Sequence, residues 1–176
     1  MAGDKDSRIE RERRFLLRSL PADLPVVGVR RISDAYISGT RLRLREMRVE
    51  GGQTKFKLTQ KIPERGIGAQ QGFITTILLT HAEHSTFLEL PANNLRKTRF
   101  SVPPFGIDVF EGALDGLVMA EAEFESAEEA LILAMPPWVV QEVTSDPRST
   151  GGELARTSPQ QRRLWLSEYG IEIKFS

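Results

Sequence analysis

The chain has 176 residues, with 24 basic and 24 acidic side chains and therefore no net charge. A neutral total argues against a protein that coats nucleic acid or an anionic membrane, and the absence of cysteine excludes disulfides and thiolate metal sites. Two histidines are too few for a histidine-rich metal centre, no apolar run approaches the ~20 residues of a membrane span, and the polar start Met1–Ser7 has no signal-like apolar stretch, so the expectation is one cytoplasmic domain over residues 1–176 with residues 1–7 disordered.

The first strand is expected over 8–18, where Ile9 to Leu17 places Glu10, Glu12 and Arg14 on one face and Ile9, Arg11, Arg13 and Phe15 on the other. Pro21 to Pro25 is a connector with room for a turn of helix. A second strand over 29–38 aligns Arg30, Ile32, Asp34 and Tyr36, and Ser38-Gly39 is a tight-turn signal. The third, over 40–49, alternates cation and leucine at Arg41-Leu42-Arg43-Leu44-Arg45; the fourth, over 53–62, puts Lys55, Lys57, Thr59 and Lys61 on one face. A loop from Pro63 to Gln71 is long enough to close over something. The apolar, β-branched run 72–79 is a fifth strand, and Thr80-His81-Ala82-Glu83 is a capping box that starts a helix to about Leu90.

Strands over 95–102 (with Lys97 and Arg99), 106–111 (with Asp108) and 117–125 (with Glu121, Glu123 and Glu125) follow, separated by turn residues. Ser126 to Glu129 is a second capping box for a helix that Pro136-Pro137 stops. A last strand over 138–144 carries Glu142, and Ser158-Pro159 caps a final helix to Tyr169, so that 157–176 form a C-terminal helix and tail.

These are mostly antiparallel strands with one charged and one apolar face. Periodicity alone leaves open a flat sheet with a solvated charged face and a closed barrel with that face turned inward. Two features favour the barrel. The charged face of the third strand is all arginine and that of the fourth nearly all lysine, whereas a solvated face normally mixes polar groups and both signs. Like charges on neighbouring strands repel, so this crowding calls for a dense anion. Glutamates in the same lumen then call for a divalent cation, and an oxygen-only donor set suits a hard ion, Mg²⁺ or Mn²⁺. A metal that bridges carboxylates and phosphate oxygens is a known arrangement for phosphoryl transfer.

With these residues in view, the chain resembles the CYTH domain family, the triphosphate tunnel metalloenzymes. Glu10-x-Glu12-x-Arg14 is similar to the opening ExExK signature. Arg41-Leu-Arg43, Leu58-Thr59-Gln60-Lys61, Lys97-Thr-Arg99, Ile107-Asp108-Val109-Phe110, Ala120-Glu121-Ala122-Glu123-Phe124 and Glu142-Val143-Thr144 follow in family order, from about residue 8 to 156. The resemblance implies a closed eight-stranded antiparallel β-barrel (α+β, mainly β), a tunnel with a charged lumen and helices packed outside.

It also implies divalent-metal-dependent hydrolysis of a small-molecule triphosphate, inorganic tripolyphosphate foremost, by in-line attack of water on a terminal phosphoryl group. Glu10, Glu12, Glu121, Glu123 and Glu142 are the implied metal ligands. Arg41, Arg43, Lys57, Lys61, Lys97 and Arg99 are the implied phosphate clamps, and Glu10, Glu12, Arg14, Glu123 and Glu142 form the catalytic set. Lys55 and Arg45 share the clamp register but fit solvent positions as well. Asp108 fits a cation-orienting, a metal-binding or a plain structural role. Glu125 fits a helix-dipole partner, and the two histidines fall on a surface helix.

The chain departs from the family pattern at three places. Arg14 replaces the signature lysine and cannot give up a proton. The stretch Gln70 to Thr75 lacks the Arg-x-Glu of many relatives, and Ser149 stands where relatives often carry tyrosine. These departures bear on catalytic competence rather than on fold. The competing readings are an adenylate cyclase acting on ATP, a non-catalytic polyphosphate or nucleotide binder, and a scaffold whose charged lumen is incidental. No nucleic-acid or membrane partner is expected, and a homodimer is left open.

Overall fold

The computed structural model describes residues 7–64 and 70–173. The expectations for residues 1–6 and for the loop around Gly66 and Gly68 lie outside the described residues. The strands are β1 (Arg8–Leu17), β2 (Gly28–Ile37), β3 (Leu42–Val49), β4 (Lys55–Glu64), β5 (Gln70–Leu79), β6 (Ala92–Val102), β7 (Phe105–Phe110), β8 (Val118–Phe124) and the short β9 (Gln141–Glu142); the helices are α1 (His81–Phe87), α2 (Ala127–Ile132), α3 (Gly151–Leu154) and α4 (Pro159–Ser167). The ladder runs β5-β4-β3-β2-β6-β7-β8-β1, antiparallel throughout, and closes because β1 also pairs with β5. The result is the closed eight-stranded barrel.

The strand β1 makes the closure. Its first half pairs with β5, Arg8 opposite Ile74 through Glu12 opposite Gln70. On its other edge Arg11 to Leu17 pairs with β8. Past Glu12 the β5 edge is vacant, and β9 takes it at Phe15 and Leu16. This leaves room for only a short ninth strand. The expected strand over 138–144 contracts to Gln141–Glu142 because Pro136 and Pro137 offer no N–H to a ladder and the Val139 N–H turns back to the Pro136 carbonyl, at 3.1 Å.

Parity along the strands decides what faces in. On β1 the inward row is Glu10, Glu12, Arg14 and then Leu16. Apolar residues that continue the inward rows, Leu16, Leu95, Phe110 and Met119, pack with Leu154, Trp165 and Leu166 and fill one end of the barrel. The outward residues Phe15, Leu17, Phe105, Ile107, Ala120 and Ala122 form a second cluster, covered by Leu133, Trp138 and Val139 after α2. A third, with Ala35, Ile37, Leu44 and Leu58, lies under Phe87 of α1. Helices α1 and α2 thus pack outside as expected, whereas α3 and α4 close an end of the barrel.

The capping boxes at Thr80 and Ser158 form with both reciprocal bonds. At Ser126 only the hydroxyl bond to the Glu129 amide forms, and Glu129 accepts instead from the Glu125 amide. Helix α3 has no sequence counterpart above, since its Gly151-Gly152 start reads as loop. The glycine is needed there because a Cβ at Gly151 would collide with the Tyr36 hydroxyl. Helix α4 is tied down by Asp146, which accepts from the Trp165 indole at 2.9 Å and from Arg148, itself forked onto Glu168. Among the described residues no helix is long and apolar enough to cross a membrane.

Candidate active site

The inward charged rows enclose a cavity of about 550 Å³. Its charge is sorted by wall. The neighbouring strands β8 and β1 carry Glu121, Glu123, Glu10 and Glu12, with Arg8 and Arg14 of β1 beside them. Across the lumen, β3 and β4 carry Arg43, Arg45, Lys57 and Lys61, Arg41 stands just before β3, and β6 adds Lys97 and Arg99. Between the acidic and the basic strands, β5 contributes a neutral wall of Ile74 and Thr76, where the Thr76 and Thr59 hydroxyls stand 3.2 Å apart. The absent Arg-x-Glu pattern therefore maps to this neutral wall.

The acidic wall is crowded. Glu12 lies opposite Glu123, and Arg14 opposite Glu121, in the β1–β8 register. Burial raises the Glu12 carboxyl above the usual carboxylate range, and the charges of Glu121 and Glu10 push the same way against Lys61 and Arg14. Burial would also raise Glu121, but Lys97, Arg99 and Lys61 pull it well below its ordinary value. Lys61 bridges the walls, ion-paired to Glu10 and 3.5 Å from Glu12. Burial would lower its pKa, yet the two glutamates hold it raised.

The basic wall is crowded in turn. Arg45 and Lys57 are direct cross-strand partners. Burial lowers the Lys57 pKa, and Arg45, Lys55 and Arg43 lower it further. Two buried aspartates offset part of this charge. Asp34 accepts both forked bonds of Arg45, at 2.6 and 2.7 Å, with Arg43 at 3.9 Å. Asp108 accepts from Lys97 at 2.5 Å and from both arms of Arg99 at 2.6 Å, and Arg99 also reaches Glu121. The buried Arg43 Nε and Arg14 Nε have no hydrogen-bond partner. Donors left unmade in a cavity of this charge are open to an anion.

The structure brings together most of the expected site residues. Glu10, Glu12, Arg14, Arg41, Arg43, Lys57, Lys61, Lys97, Arg99, Glu121 and Glu123 all line the cavity, Glu123 at an exposed position beside Arg8. Glu142 does not. Its carboxylate sits on the outward face of β1, bonded to Arg13 at 2.9 and 2.7 Å and to the Thr144 hydroxyl at 2.7 Å. The reason is parity, because Glu142 pairs with Phe15, whose side chain points outward. Arg45 proves to be a half-buried lining residue, whereas Lys55 is exposed. Arg8, Arg30 and Arg156 also line the cavity. Arg30 was legible in the Arg30, Ile32, Asp34, Tyr36 alternation; Arg156, at the end of the unforeseen α3, had no periodic signal.

A metal can be judged by the donor set. The acidic side of the cavity offers only carboxylate oxygens, Glu10, Glu12, Glu121 and Glu123. That chemistry fits a hard divalent cation. Among the described residues no three acidic or histidine side chains stand together as a metal-holding group, and Lys61 and Arg99 engage Glu10 and Glu121.

No family model matches the chain. Over 156 residues, 85% of this chain and 99% of the relative, it is 32% identical to the inorganic triphosphatase of Nitrosomonas europaea. The fold matches a crystal structure of the inorganic triphosphatase NE1496 with a TM-score of 0.56 and 25% identity, over 85% of this chain and 96% of that one. A second crystal structure, of the hypothetical protein NE1496, gives a TM-score of 0.56 and 27% identity over 85% and 99%. Identity of 32% over nearly the whole length of that relative, together with the match in fold, fixes the kinship: the chain belongs to the family of the Nitrosomonas europaea inorganic triphosphatase.

Proposed function

We propose that the chain is a triphosphatase of the CYTH, or triphosphate tunnel metalloenzyme, type, that hydrolyses inorganic tripolyphosphate with Mg²⁺ or Mn²⁺. The observation that carries this reading is the sorting of charge, with carboxylates on β8 and β1 facing a wall of cations on β3, β4 and β6. A linear polyanion suits the cationic wall, and the glutamates suit a cation shared with it.

Arg41, Arg43, Lys57, Lys61, Lys97 and Arg99 hold the phosphate chain. Arg43 and Arg14 bring buried Nε donors that make no hydrogen bond, with the nearest carboxylates at 3.9 Å (Asp34) and 3.8 Å (Glu12). Glu10, Glu12 and Glu121 are the residues to hold the divalent ion, with Glu123 at the exposed end of the same wall. A bound divalent ion would supply charge neutralisation for the phosphate oxygens. A water oxygen forms the new bond to the terminal phosphorus as the bond to the bridging oxygen breaks, and the proton the water gives up ends on the phosphate products or in solvent. The products are orthophosphate and pyrophosphate. The fixed cations stabilise charge that builds on the bridging oxygen. A cytoplasmic setting belongs to the same reading.

The test is phosphate release from tripolyphosphate, ATP and thiamine triphosphate, with Mg²⁺, Mn²⁺ or chelator, and with product analysis. Metal-dependent release from tripolyphosphate is expected. One observation favours a second reading, a non-catalytic polyphosphate binder: Glu10 and Glu121 are already engaged by Lys61 and Arg99. Tight binding without release at any divalent ion would select that reading, and cyclic AMP from ATP would select a cyclase.

A further inference from the structure

The carboxylate of Glu142 lies outside the cavity, yet it is wired to a side chain inside it. Arg13 forks onto Glu142 and also donates to the carbonyls of Ala130 and Leu133, at 2.8 and 2.9 Å, at the C-terminal end of α2. Glu142 accepts the Thr144 hydroxyl proton at 2.7 Å. The same Thr144 oxygen accepts from the Arg14 backbone N–H at 3.0 Å, and the Thr144 carbonyl accepts from Arg14 Nη2, also at 3.0 Å. The Val143 N–H donates to the Arg14 carbonyl at 2.8 Å, so the strand edge is fastened on both sides of the side chain. Arg14 is 2% exposed and lines the cavity, its Nε making no hydrogen bond and standing 3.8 Å from the Glu12 carboxylate. A long side chain facing an anion site must lose its rotamer freedom before it can bind well. Here the order is supplied from outside the barrel.

We propose that Glu142 and Thr144 are positioning residues, a clasp that fixes Arg14 for the phosphate chain, rather than groups that touch metal or substrate. The proposal rests on the triphosphatase reading for its kinetic consequence, but the clasp itself is testable without it. Thr144→Val keeps the shape and removes the hydroxyl; Thr144→Ser keeps the hydroxyl. Loss of alignment of a substrate-facing group lowers kcat/KM by about ten- to a hundredfold, and this is the fall expected for Thr144→Val, with Thr144→Ser restoring most of it. Glu142→Gln retains an acceptor for Thr144 and for Arg13 Nε, so its fall should be smaller than that of Glu142→Ala. The independent readout is the Arg14 Nε–H resonance in NMR. It should be sharp in the wild type and in Thr144→Ser, and broadened in Thr144→Val and Glu142→Ala, while the barrel amides keep their shifts.

An Arg14 signal unchanged in Thr144→Val would overturn the clasp, whatever the enzyme does. Complete loss of activity in Glu142→Gln with that signal intact would also overturn it and return Glu142 to the chemistry. If the wild type hydrolyses no triphosphate, the functional reading fails, and the NMR comparison still decides the clasp. Should Thr144→Val not fold, the Glu142→Ala and Glu142→Gln pair carries the same decision.

Discussion

Arg43 and Arg45 lie two residues apart on one strand and face the same cavity, yet their deletion should have opposite consequences. Arg45 is spent on Asp34, which is 2% exposed and accepts both of its forked bonds. Removing it strands a buried carboxylate, at a typical cost of about 3–5 kcal/mol. Arg43, at 3.9 Å, can recover part of that, so the lower end applies. For a domain of this size 1 kcal/mol shifts Tm by about 2–4 °C, and Arg45→Ala should melt roughly 6–12 °C lower. Arg43→Ala leaves the Asp34–Arg45 fork intact and should melt near the wild type. Its loss falls on the anion: one charge-assisted contact is worth roughly 1.5–3 kcal/mol, about ten- to a hundredfold in kcat/KM. Calorimetric melting beside phosphate release on tripolyphosphate and ATP checks both. If the phosphate chain carries recognition, the two substrates suffer alike. A large loss of stability in Arg43→Ala, with catalysis unchanged once it is folded, would refute the division of labour.

Glu12→Gln should abolish hydrolysis and raise Tm at neutral pH: a carboxyl with a raised folded pKa weighs on the fold once pH exceeds its folded value, and the amide removes that burden; a lower Tm in differential scanning calorimetry would count against it. Tripolyphosphate at a hundredfold excess over Kd should stabilise the wild type by about 2.7 kcal/mol, or roughly 5–11 °C; a melting curve indifferent to it would leave the charged rows without a ligand. Asp34, Glu121 and Glu142 have lowered folded pKa values, so their contribution is complete above the ordinary carboxylate range and is lost as pH falls through the folded values. Urea midpoints should therefore hold down to about pH 4 and drop below it, and Glu142→Gln should reduce that drop.

The period-two rows made strands with one charged and one apolar face legible but left a flat sheet and a barrel open; the crowding of like charge on the third and fourth strands favoured closure, and the family resemblance implied it. The sign of each row was legible too. What could not be read was which rows face one another, since that depends on ladder order, and β2 inserts between β3 and β6. Glu142 shows the limit sharply. Its short motif resembles the family's, but its face is set by pairing with Phe15, a contact 127 residues away in the chain. Arg45 was left open because a lining arginine and a solvent arginine have the same alternation, and only the buried Asp34 across the ladder distinguishes them. Helix α3 escaped because Gly151-Gly152 has poor intrinsic helix propensity, and its reason for being there, the tight approach of Tyr36, is tertiary.

The packed end of the barrel has a consequence for traffic. Among the described residues, Leu16, Leu95, Phe110 and Met119 pack beneath Leu154 and Trp165 and leave no polar path through that end for a hydrated anion. On the proposed activity, reactant and spent fragments would then share the opposite end, and the lumen would work as a cul-de-sac rather than a pipe. The fragment seated deepest would depart last, past the same cations that drew the reactant in, so the attraction that speeds arrival would also slow clearance.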